Sequence, residues 1–212
     1  METRSYYLDA IRLLFIFVAG GEPPTGANSE GASLVFAGNT RLCAFDFWMR
    51  YPDYLADELL ERFDQTGDKA YLTLAEKIFS SEEPDLRRFP MIRWRFGAYE
   101  RMDDALSILL SRGLIRIGGR KLVDTVLETD FFVMPKAIQT TTDIISEYPT
   151  LQWYIDRANL VADIANGRGG AALKKRQYQR IEYADTALGE IIPSITNDVL
   201  NRLEEKLNRV AT

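Results

Sequence analysis

Apolar residues recur at helical spacing along most of this chain, and one central stretch switches to a different rhythm. Between Tyr6 and Val18 they fall at Leu8, Ile11, Leu14, Phe15 and Val18, which predicts a helix with one buried stripe. Gly20–Gly38 is rich in Gly, Pro and Ser and reads as a loop. Asn39 or Thr40 can cap a helix running to about Tyr51, with Leu42, Phe45 and Trp48 or Met49 inward. Pro52 restarts the chain into a helix over Asp53–Phe63, and Tyr71–Ser80 predicts a shorter one before Pro84 and Pro90 interrupt.

The change of rhythm lies in Phe89–Val123. Glu100–Arg112 places Met102, Ala105, Leu106, Leu109 and Leu110 on one helical face, and Gly113 suits a C-cap. Leu114–Ile117 and Lys121–Leu127 then read as strands joined by a turn at Gly118-Gly119. Helix, strand, tight turn, strand is the pattern of a winged helix, a module that binds DNA or clamps onto partner proteins. Beyond Met134-Pro135 the helical period returns. Pro149 opens a helix carrying Leu151, Ile155, Ala158, Ala162 and Ala165, closed by Gly167. Ala171–Leu188 predicts a basic helix, with Pro193 as its breaker. Leu200, Leu203, Leu207 and Val210 form a last stripe that is too short for a coiled coil by itself, so it is expected to dock on a partner.

The expected architecture is mainly α with a minor β component. It has one winged-helix-like unit, or two in kite-like tandem, and a helical C-terminal region. The expected segments are 1–85 (N-terminal helical or winged-helix-like), 86–135 (winged helix with a Gly-Gly wing) and 136–212 (helical).

Charge sharpens this picture. The net charge of −5 conceals segregation: Leu86–Lys121 holds nine Arg/Lys against three acids, and Arg168–Arg180 holds five basic residues and no acid. Tyr51–Asp85 holds ten acids and three bases. Such asymmetry suggests two different surfaces, although solvated helix faces account for each block equally well. Asp53, Asp57, Glu58 and Glu61 occupy adjacent turns of one predicted helix. Asp57 and Glu61 share a face able to hold a cation, and an ordinary acidic exposed face explains them too.

The 212 residues contain no histidine, which removes the commonest general base and metal ligand. A single cysteine, Cys43, excludes an internal disulfide, suits a reducing cytoplasm, and lies beside an apolar stripe as a core residue would. The longest apolar run, Leu13–Ala19, is far below the ~20 residues that span a bilayer, and a signal peptide is not expected. Gly21–Gly26 has the glycine spacing of a phosphate loop, but Ala27 and Asn28 follow in place of Lys and Ser/Thr, so that match is discarded. No catalytic residue, metal or cofactor is expected, and a carboxylate-dependent metal nuclease would need clustered acids with a nearby lysine that the pattern lacks.

Arg93 and Arg95 sit before the presumed recognition helix, Arg116, Arg120 and Lys121 on the wing, and Lys174, Lys175, Arg176 and Arg180 on the basic helix. These are the candidates for contact with DNA or a partner. Asp103 and Asp104 fall on the exposed face of the helix before the wing, where carboxylates oppose the phosphate attraction that dominates DNA binding. Base reading by that helix is therefore not expected, and this weighs against the alternative of a free-standing winged-helix transcriptional regulator.

Two stretches resemble a known family. Gly38–Leu55, GNTRLCAFDFWMRYPDYL, is similar to the TKL-x-K-L-D-F-L-L-R-Y-P-x-Y-L stretch of the middle components of ABC-three-component systems, which include the LmuC subunit of the Lamassu anti-phage systems. Thr40, Leu42, Asp46, Phe47, Arg50, Tyr51, Pro52, Tyr54 and Leu55 carry that match. Met91–Arg101, followed by Leu109–Ile115, resembles the family's VRYRYGPWD and LVARGL stretches through Arg93, Arg95, Gly97, Arg112, Gly113 and Leu114. Ala98, Tyr99 and Glu100 depart from Pro, Trp and Asp, as does Cys43-Ala44 in the first block. The resemblance implies a non-catalytic cytoplasmic subunit, similar in role to kite-type subunits of SMC complexes. It would bridge an SMC-like (Rad50-like) ABC ATPase and an effector nuclease, with non-specific contact to double-stranded DNA, in abortive-infection defence.

Overall fold

The computed structural model describes residues 5–25, 31–95, 97–122 and 125–211, with backbone alone at 120–122 and 125–128. Along the chain run α1 (Tyr6–Gly20), β1 (Leu34–Ala37), α2 (Asn39–Arg50), α3 (Pro52–Thr66), α4 (Ala70–Ser80), β2 (Ile92–Trp94), β3 (Gly97–Tyr99), α5 (Asp103–Ser111), β4 (Ile115–Leu122), β5 (Thr125–Val133), α6 (Pro135–Glu147), α7 (Gln152–Ala165), α8 (Gly170–Gln177), α9 (Ile181–Ala184) and α10 (Thr196–Ala211). The chain is thus mainly helical with a small antiparallel part, as the patterning predicts. It divides into two compact units that interleave in sequence: Met1–Asp46 with Glu100–Lys175, and Phe47–Tyr99 with Arg176–Thr212. The boundaries cut α2 and α8, whereas the hydrophobic pattern suggests three consecutive segments.

In the first unit α1 is the central helix. Leu13 to Phe17 are all buried, because α5, α6 and α7 pack around α1 and the sheet lies against it. A helix apolar all round is a core helix, so the single stripe expected here is corrected: Leu8 is exposed while Leu13 and Phe17 are inside. The sheet order is β1-β5-β4, all antiparallel. Its inward face carries Phe36, Ile115, Phe131 and Val133, and the Phe17 ring meets Phe131 at 4.9 Å and Phe36 at 5.5 Å between centroids. Buried Arg12 is neutralised on both sides, by Asp9 and by Asp46 at 2.6 Å each. Burial alone would lower the pKa of this guanidinium, but the two carboxylates hold it above its ordinary value.

The hairpin turn is not at Gly118-Gly119. Both glycines lie inside β4, which continues to Leu122, where the register pairs Leu122 with Thr125. The reason Gly118 is a strand residue is steric. A Cβ there would stand 2.5 Å from the Phe132 ring, which lies across the strand.

In the second unit α3 packs on α4, and α10 lies against both. Pro52 at the first turn and Gly67 in the left-handed conformation (φ 70°) fix the ends of α3. Phe47, Tyr51, Tyr54 and Tyr183 form an aromatic cluster with centroid separations of 4.5–6.3 Å. Met91 is fixed to it by the Tyr51 hydroxyl, which accepts its N–H at 2.9 Å. The β2–β3 hairpin grows from that attachment. Gly97, at φ 110°, occupies a conformation that a side chain would strain.

Candidate functional site

The basic residues singled out from the sequence are distributed over both units. Arg93 and Arg95 are not at a helix entrance, since α5 begins only at Asp103. They belong to the β2–β3 hairpin: Arg93 stacks on the Tyr178 ring at 5.2 Å, and Arg95 is exposed at the turn. Arg116 is exposed on the outer face of the three-stranded sheet, opposite Phe132. Arg120 and Lys121 lie in β4, and their side chains are outside the described residues. Lys174 is half-buried and Lys175 exposed on α8.

Arg176 and Arg180 have internal work. The expected continuous helix over Ala171–Leu188 is corrected to α8 and α9, with Arg180 extended between them (φ −81°, ψ 122°). Arg176 donates to both Glu58 oxygens, at 2.9 and 2.8 Å, and reaches Glu61 at 3.6 Å. Arg180 meets Asp198 at 2.6 Å and Asp57 at 3.3 Å. From α10, Arg202 pairs with Asp57 and lies 3.4 Å from Glu61, while Lys206 pairs with Asp64. The acids of α3 are therefore paired with arginines and a lysine supplied from residues 176–206. Asp57 is buried, and desolvation raises its pKa despite Arg180 and Arg202, which pull it down. Desolvation also raises Tyr54, with Asp53 adding to it.

Asp53 is the most connected of these acids. One carboxylate oxygen accepts the Tyr54 N–H at 3.0 Å and the Arg87 guanidinium. The other accepts the Ser194 hydroxyl and the Ile195 N–H, both at 2.8 Å, and the Thr196 hydroxyl at 3.3 Å. It thereby ties the start of α3 to the start of α10. The apolar stripe of α10 is in part spent on the same packing: Leu203 is buried, Leu207 and Val210 are half-buried, and Leu200 alone of the four is exposed. Leu203 is thus spent on internal packing, and Leu200 remains exposed.

The residues of the two family-like stretches are mostly structural. Asp46, Arg50, Tyr51, Tyr54 and Leu55 are all buried, and Arg50 donates to the Phe89 carbonyl. Gly97 and Gly113 take positive φ values, 110° and 64°. Cys43 is buried, and burial first, with the nearby Asp46 charge, pushes its thiol up to about 12.

No protein-family model, curated protein or solved structure matches this chain. Among the described residues no group of three or more His, Cys, Asp or Glu side chains is placed to hold a metal ion. No described helix is long and apolar enough to cross a membrane.

What the sequence reading missed is the face of the β2–β3 hairpin. Ile92 and Trp94 alternate with Arg93, and two residues separate Trp94 from its cross-strand partner Gly97. That alternation was the available signal.

Proposed function

We propose that this protein is a non-catalytic bridging subunit of a bacterial anti-phage or anti-plasmid complex, linking an SMC-like ABC ATPase to an effector nuclease. The observation that carries the reading is the topology of the first unit. The order α1, β1, α2, α5, β4, β5, with β1 and β4 flanking β5, supports reading this unit as a winged helix. The residues between α2 and α5 then count as an insertion. Together with the two family-like stretches this supports a partner-binding winged helix in place of a free-standing regulator. Asp103 and Asp104 are exposed on α5 and leave it poorly suited to reading bases.

The test is co-expression with an SMC-like ATPase encoded beside this chain. A stable complex that retains ATPase activity and needs this subunit for nuclease recruitment is the expected result. In that complex, DNA contact should be salt-sensitive and sequence-independent, and charge reversal at Arg116, Arg120 and Lys121 should weaken it equally on unrelated duplexes. Failure to associate with the ATPase refutes the bridging role. Metal-dependent nuclease activity of the purified chain, lost on substituting one of its own carboxylates, refutes the non-catalytic one.

A further inference from the structure

No further inference is drawn: the strongest candidate, the apolar outer face of the β2–β3 hairpin with Trp94, Tyr99 and Ile191 exposed, carries nothing because nothing in the structure shows what covers it.

Discussion

Replacing Asp53 by asparagine keeps the shape of the side chain and reverses half of its hydrogen-bonding character. Asp53 is fully buried and surrounded by donors alone: the Tyr54 and Ile195 N–H groups, the Ser194 and Thr196 hydroxyls and the Arg87 guanidinium. An amide has one oxygen, so whichever way it turns, its NH2 confronts donors on one side. With the nitrogen toward α10, the Ile195 N–H loses its acceptor, while the two hydroxyls can rotate toward solvent. With the nitrogen toward Arg87, the Tyr54 N–H is orphaned and the ion pair breaks. An unsatisfied buried donor costs about 1–3 kcal/mol. The Arg87 side chain is 27% exposed, so water recovers part of that loss and its share is small. The expected destabilisation is about 3 kcal/mol, read as a lower urea midpoint with unchanged slope by circular dichroism. Ser194→Ala should cost under about 1 kcal/mol, because that hydroxyl is replaceable by solvent. A loss below about 1 kcal/mol for Asp53→Asn would refute the view that this carboxylate joins α3 to α10.

Asp57→Asn should behave differently with pH. Burial raises the folded pKa of Asp57, so the folded state holds its proton longer than the unfolded state, and the aspartate contributes less stability as pH rises through that raised value. The asparagine variant should therefore gain relative to the unsubstituted protein on going from acid toward neutral pH; a gap that is constant with pH would show that Arg180 and Arg202 fully offset desolvation. Cys43, with its thiol at about 12, should resist a thiol reagent at pH 8 and react promptly in urea, and rapid stoichiometric labelling of folded protein would contradict its burial. Gly118→Ala should cost about 1 kcal/mol by displacing the Phe132 ring, and much less in a Phe132→Ala background. Equal costs in both backgrounds would point to strand propensity and not to the ring.

Local signals in the sequence were sufficient for a helix such as α3 and insufficient for what joins the helices. Pro52 and the spacing of Tyr54, Leu55, Leu59 and Leu60 locate α3 because each acts within a turn or two of its neighbours. The same stretch says nothing of where its acids find cations. Glu58 meets Arg176 across 118 positions, and Asp57 meets Arg202 across 145. A charge pattern reads as a solvated face until the fold brings its partner. Gly118-Gly119 misled for a related reason: glycine signals either a turn or a close approach, and here the approaching ring belongs to the opposite strand.

The fate of the basic residues follows from this. A count of arginines predicts an anionic partner only to the extent that the protein's own acids have not already taken them. Arg12, Arg87, Arg176, Arg180 and Arg202 all pair with carboxylates of this chain. Ion pairs that join distant segments at partly buried positions are poor candidates for release, because removing one partner leaves the other's charge uncompensated. Even in the acid-free stretch Leu86–Arg95, Arg87 is ion-paired with Asp53 and Arg93 lies over the Tyr178 ring. Charge alone would have directed attention to the Lys174–Arg180 segment, where two of the four basic residues are held inside the molecule's own network.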